Sequence, residues 1–341
     1  MLKRLTFLAA ALVAVAGTSR AQDLNGAGAT FPNPIYSKWF SDYAAATGVK
    51  INYQSIGSGG GIKQFTAGTV DFGASDAPMS ADEMAKLPAP AFHFPTVMGA
   101  VVITYNVPGV NQALKLTGDV VADIFLGKIT KWNDTRITST NAGVSLPASD
   151  ILVVHRSDGS GTTYIFSDYL SSVSSAWATA PGKGKELAWP VGLGGKGNEG
   201  VSGLVKQTPG SIGYVELAYA VQNSLPYATL KNKDGEWVVP SIESVSEAAA
   251  GVAKALPTNT DFRVSIVNAP GKKSYPISSF TWLLVYKNQT DATKGKQLVA
   301  FLKWYLHNGG KSAADLLYAP LPTEVVKMLD KQVAEIKLAG M

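Results

Sequence analysis

The sequence predicts two α/β lobes. Strand-like and helix-like patterns alternate from about residue 24 to the carboxyl end, as in layered α/β proteins. Residues 22–341, which follow a predicted leader, exceed the roughly 250–300 residues at which a single core tends to divide. Two long apolar runs, 97–105 (VMGAVVITY) and 275–286 (YPISSFTWLLVY), are placed to carry the chain out of a first lobe and back into it. The expected boundaries are a leader over 1–21, lobe one over 22–97 and 275–341, and lobe two over 98–274.

Taken in order, the leader comes first. Lys3 and Arg4 precede an apolar stretch over 5–17, and Ser19-Arg20-Ala21 supplies a small-x-small cleavage site, the pattern of a secretory signal peptide. Cleavage after Ala21 removes Lys3, Arg4 and Arg20 but no acid, lowering the net charge from +5 to +2. Residues 26–32 (GAGATFP) lead into a helix from Pro34, where proline early and glycine before it mark an open amino end. Residues 51–56 read as a strand, 57–61 (GSGGG) as a permissive loop and 62–67 as the helix it opens. Residues 75–78 (SDAP) read as a turn. A strand over 151–154 and a helix over 162–170, with Tyr164, Ile165, Tyr169 and Leu170 as apolar positions, flank the turn HRSDGSGT. A terminal helical stretch over 294–318, with Leu298, Phe301, Leu302 and Tyr305 on one face, is expected to pack back on lobe one.

The turn at 155–162 carries the most chemistry. It places a guanidinium (Arg156), a carboxylate (Asp158), hydroxyls (Ser160, Thr162) and glycine-freed amides (Gly159, Gly161) at a helix amino end. There the first N–H groups lack intrahelical partners and the macrodipole favours an anion. Arg156 suits two oxygens of one tetrahedral oxyanion, and Asp158 is expected to hold Arg156 by a salt bridge. Ser58 and Thr30 stand at the other two loop-to-helix junctions. No Walker A sequence occurs, and residues 194–198 (GGKGN) lack its final hydroxyl, which disfavours nucleotide binding.

The segments 26–34 (GAGATFPNP), 53–64 (YQSIGSGGGIKQ), 70–78 (VDFGASDAP), 125–134 (FLGKITKWND), 156–162 (RSDGSGT), 189–197 (WPVGLGGKG) and 210–215 (GSIGYV) resemble the periplasmic phosphate-binding proteins of the Pst-type high-affinity ABC phosphate transporter. The resemblance implies a two-lobed, type II periplasmic binding protein-like α/β fold with a hinge and an interdomain ligand cleft, and capture of dehydrated phosphate without turnover. It implies as ligands Thr30, Phe31, Ser58, Asp76, Arg156, Ser160, Gly161 and Thr162, with Asp158 behind Arg156. It also implies a monomer in the periplasm, partnered by inorganic phosphate and by the permease subunits of an ABC transporter, with no cofactor. Two departures are small: Gly59 stands where the family loop often has a second serine, and His155 where it is often basic.

The resemblance gives Asp76 a role, since the residues alone read as an Asx-type turn with a proline stop. In the family this carboxylate accepts the proton that phosphate still carries near neutral pH. Sulfate has none, so a buried carboxylate repels it, and discrimination comes from repulsion as well as attraction.

Other functions are disfavoured. A phosphohydrolase would want Ser58 or Ser160 activated, yet no Gly-x-Ser-x-Gly elbow occurs, and His93, His155 and His307 show no metal spacing. His93 reads as packed, and His307 as a cation near a helix carboxyl end. Strand alternation points His155 away from the face that Arg156 uses. No dense Lys/Arg run exists, which argues against nucleic acid. The absence of cysteine removes both disulfides and a lipid-anchored thiol. Trp132 is expected to anchor a loop on lobe two, Lys128 and Lys131 either sit idle or touch the permease, and residues 192–198 form either a packing turn near the cleft or a docking rim.

Overall fold

The computed structural model describes residues 23–110, 112–253, 257 and 260–340; the predicted leader over 1–21 lies outside them. One eight-stranded sheet runs through both lobes. Its strands are β1 (Leu24–Gly28), β2 (Ile51–Ser55), β3 (Phe72–Ser75), β4 (Ala91–Asn106), β5 (Leu152–Arg156), β6 (Leu193–Gly195), β7 (Ser211–Glu216) and β8 (Ser278–Tyr286), in the spatial order β2-β1-β3-β8-β4-β7-β5-β6. The outer strands of each half pair in parallel, β2-β1-β3 on one side and β7-β5-β6 on the other. Antiparallel β8 and β4 lie between them.

β4 is the seam. Ala91 to Ala100 pair with β8, and Val101 to Asn106 pair with β7, so one strand serves the first lobe and then the second. It is buried along its length except at Asn106, as a central strand covered on both faces should be. Pro95 lies within it, where a missing N–H would break a regular ladder. The strand accommodates it at a register shift opposite Thr281 and Trp282. The sequence puts the crossings at 97–105 and at 275–286. In the structure β4 spans the first, and in the second Tyr275 and Ile277, directly before β8, bond Val101 of β4.

The helices that matter begin at the carboxyl ends of parallel strands. They are α1 (Asn33–Thr47), α2 (Ser58–Thr66), α3 (Gly161–Val173) and α4 (Gly197–Gln207), whereas α5 (Ala292–Trp304) follows antiparallel β8. α2 starts earlier than expected: Ser58 to Gly61 form its first turn instead of a loop. The turn is made at Gly57, whose φ of 88° and ψ of 154° suit only glycine, and the three glycines then follow a helical path, with backbone packed close to Gly59 and Gly61 and the Ile56 side chain against Gly60. A Cβ at Gly61 would run into Gly28 and Ala74. The terminal stretch is also less regular than expected. α5 buries Leu298, Phe301 and Leu302, but from Tyr305 to Gly309 the helix widens to a π turn. There Trp39 stacks on Tyr305 at 5.6 Å and donates its Nε1 to Gly309 O at 3.0 Å, a close approach that a side chain at Gly309 would block.

Each lobe has an aromatic centre. In the first, Tyr36, Trp39, Phe40, Tyr43 and Phe301 interlock. In the second, Phe166 stacks on Tyr214 at 4.2 Å, with Phe125 and Trp189 around them. Trp132 is fully buried and donates to Gly210 O at 2.9 Å, tying its loop to β7 as expected.

Candidate functional site

Four helix amino ends meet at the seam. Thr30 and Phe31 precede α1, Ser58 opens α2, Ser160 caps α3 and Gly197 opens α4. N–H groups without intrahelical partners and four positive dipole ends therefore converge, and several of these N–H groups are met by side-chain or backbone acceptors at the seam. Ser160 Oγ accepts from Thr163 N at 2.9 Å, the ordinary cap its position predicts. Three of these ends were expected from the sequence. The fourth, α4, follows the segment for which a packing turn and a docking rim were both open. Gly197 and Asn198 are buried at the cleft, whereas Leu193 is exposed.

All the predicted residues come together. Thr30, Phe31, Ser58, Asp76, Arg156, Ser160 and Thr162 are each no more than 3% exposed, and Gly161 is buried. Ser58 Oγ accepts from Asp76 N and from Gly161 N, both at 3.1 Å, the latter across the lobes. Gly59 N donates to Gly159 O at 2.8 Å beside it. Tyrosine hydroxyls cap the carbonyls of the loop before α1 from outside: Tyr53 on Ala29 O, Tyr219 on Thr30 O and Tyr318 on Phe31 O, at 2.6–2.7 Å. These carbonyls are thereby engaged away from an anion.

Arg156 has its charge balanced before any ligand arrives. Nε reaches Asp158 Oδ1 at 2.8 Å and Nη2 reaches Oδ2 at 2.6 Å, the salt bridge read from the sequence, while Nη1 points to Thr162 Oγ1 at 3.3 Å. Asp158 also accepts from Gly197 N at 3.0 Å. Burial pushes the Asp158 carboxyl up, but the Arg156 hydrogen bonds and charge outweigh it and hold it below its ordinary range.

Asp76 is different in kind. Burial raises its carboxyl from 3.8 to about 7, against the pull of Thr281, Arg156 and Ser58 and with a smaller push from Asp158. Thr281 Oγ1 donates to Oδ1 at 2.8 Å, and Oδ2 lies 3.4 Å from Ser58 Oγ. The arrangement can surround an anion with donors and present one carboxylate oxygen as an acceptor.

The histidines are elsewhere. His93 is buried, its proton affinity lowered by burial to a pKa of about 3, and its Nε2 accepts from Met79 N. His155 stacks on Trp189, and His307 pairs with Asp330 at 3.0 Å. Lys128 and Lys131 are exposed and paired with Asp123 and Asp150. Among the described residues no group of histidines and acids could hold a metal, and no helix is long and apolar enough to cross a membrane.

Two residues of this cluster escaped the sequence reading. Thr281 announces itself only as a hydroxyl between Phe280 and Trp282, which must bond something when buried. Asn198 donates to both Thr30 and Thr162, and its one signal is its place directly after Gly197 at a helix start.

Comparison with known proteins places this geometry. The model of the PBP superfamily domain matches residues 14–308. A phosphate-binding protein PstS of Xylella fastidiosa (strain Temecula1) is 50% identical over 308 residues, covering 90% of this chain and 84% of the relative. The PstS of Pasteurella multocida (strain Pm70) is 46% identical over 333 residues, covering 97% and 96%. Among solved structures, a high-affinity periplasmic phosphate-binding protein (PfluDING) bound with phosphate superposes with a TM-score of 0.73 at 23% identity, covering 91% of this chain and 93% of the other. That likeness bears out the two-lobed fold.

Proposed function

The chain belongs to the PBP superfamily and, within it, to the PstS phosphate-binding proteins, and from that premise we propose that it captures inorganic phosphate in the periplasm and hands it to the permease subunits of an ABC phosphate importer. It performs no chemical turnover and acts as a monomer. Thr30, Phe31, Ser58 and Asp76 hold the anion from one lobe; Arg156, Ser160, Gly161 and Thr162 hold it from the other, with Asp158 steadying Arg156. The lobes correspond to 22–97 with 275–341 and to 98–274.

One observation carries the reading: a water-excluded junction of four helix amino ends whose guanidinium is already balanced by Asp158, leaving Asp76 to face the ligand. Hydroxyls and N–H groups satisfy the oxygens of any tetrahedral oxyanion. Only an anion that carries a proton can also satisfy an ionised Asp76. No histidine is placed to act as a base toward Ser58 or Ser160, since each is engaged elsewhere.

Calorimetric titration with phosphate and sulfate, together with an assay of p-nitrophenyl phosphate hydrolysis, tests the proposal. Phosphate should bind far more tightly than sulfate at pH 8.5, with no hydrolysis. Equal binding of the two anions, or turnover that scales with protein, refutes it.

A further inference from the structure

We infer that Asn198 is a positioning and specificity-determining residue that turns the hydroxyls of Thr30 and Thr162 into obligate donors; the inference rests on the phosphate reading above. Asn198 is fully buried at the start of α4. Glu216 N donates to its Oδ1 at 2.9 Å, and this fixes which end of the carboxamide is which. The two Nδ2 hydrogens are then directed to Thr30 Oγ1 at 2.8 Å and Thr162 Oγ1 at 3.1 Å.

A threonine hydroxyl has one hydrogen and two lone pairs. Thr30 Oγ1 accepts a second hydrogen from Asn198 N at 3.2 Å, and Thr162 Oγ1 a second from Arg156 Nη1 at 3.3 Å. Both lone pairs of both oxygens are therefore engaged, and neither hydroxyl donates to any acceptor among the described residues. Each hydroxyl has only its hydrogen left to offer a ligand. A phosphate hydroxyl facing them finds no free lone pair to receive its proton, so the proton of a bound phosphate is steered away from this wall and toward Asp76. Proton reading at Asp76 thus depends on a residue that need not touch the anion. Thr30 precedes α1 in one lobe, while Asn198 and Thr162 open helices of the other, so this bond forms as the lobes meet.

A double-mutant cycle tests the inference. The loss of phosphate affinity caused by Asn198→Ala is measured on the parent and on a chain carrying Thr30→Val and Thr162→Val, with circular dichroism and thermal melts to confirm folding. Aiming of hydroxyls requires those hydroxyls, so the loss should be at least fivefold smaller on the valine background. A difference below fivefold overturns the proposal and leaves Asn198 a packing residue. If Asn198→Ala does not fold, the isosteric Asn198→Asp, which keeps the acceptor for Glu216 N, is put through the same cycle. Its added charge acts on both backgrounds and cancels in the ratio. The parent titration alone decides whether phosphate is the ligand, so failure of that reading and failure of this inference are distinguishable.

Discussion

Asp76→Asn is the substitution whose consequences the geometry specifies most fully. Thr281 Oγ1 donates to Oδ1, so the new amide keeps its oxygen there and puts nitrogen where Oδ2 faced the site. A donor replaces the acceptor. Phosphate loses a charged hydrogen bond worth about 1.5–3 kcal/mol but regains part of it by turning an unprotonated oxygen to the amide, so its affinity should fall only about tenfold. Sulfate gains more. In the parent it opposes an ionised carboxylate in a dry site, and an uncompensated buried charge costs about 3–5 kcal/mol. Relief of that repulsion should tighten sulfate by about 10²–10³. Calorimetry at pH 8.5 and pH 5.5 brackets the carboxyl, which burial raises to about 7 in the ligand-free protein. The sign of the pH effect follows. Above that value Asp76 is ionised and rejects sulfate; below it Asp76 holds a proton and can donate, so the parent's selectivity should narrow as pH falls while the variant's does not. Stability moves with the same proton. The native state keeps it between 3.8 and about 7 while the unfolded chain has released it, so ligand-free stability declines as pH rises across that window and levels off above, by at most roughly 4 kcal/mol. A phosphate-to-sulfate ratio in the variant within threefold of the parent's at pH 8.5 would refute the reasoning.

Two further outcomes test closure of the lobes. A Cβ at Gly161 would lie 2.5 Å from Ser58 Oγ and 2.7 Å from Asp76 N, all across the seam, so Gly161→Ala should weaken phosphate at least about a hundredfold while leaving the ligand-free melting temperature nearly unchanged; a large drop in that temperature instead would place the fault within a lobe. Lys185 Nζ meets Glu83 Oε1 at 2.6 Å between the lobes with both side chains about one-fifth to one-quarter exposed, so Lys185→Ala should raise the phosphate dissociation rate by about two- to fivefold. In stopped-flow that difference should shrink as salt is added, and a salt-independent difference counts against an ion-pair latch.

What the sequence made legible is local. Arg156, Asp158, Ser160, Gly161 and Thr162 lie within a single strand-to-helix turn, so their chemistry can be read from spacing, and the salt bridge within it forms as expected. The alternation of strand and helix likewise announces an α/β fold. Asn198 and Thr281 were missed for one physical reason. Each acts on a partner 168 or 205 residues away, and only the sheet order, with β8 beside β3 and β4 handing over to β7, brings those partners together. The early start of α2 was missed for a smaller reason: glycine runs have poor helix propensity, and tertiary packing against Gly28 and Ala74 overrides it.

The same distances predict that ligand capture and lobe closure are one event. Ser58 Oγ is held by Gly161 N and Thr30 Oγ1 by Asn198, so the hydroxyls predicted to face the anion are also the atoms that join the lobes. A residue that only bound the ligand would leave the hinge indifferent to occupancy, and one that only joined the lobes would favour closure without cargo. With the Arg156 charge spent on Asp158 and Asp76 costly to ionise when buried, the closed seam offers hydrogen-bond donors and little net charge. Such a seam is most favourable around an anion that brings its own proton for Asp76. The preference for closing on phosphate then follows from satisfied hydrogen bonds, and a change that spares each lobe but disturbs those shared hydroxyls should loosen binding and closure together.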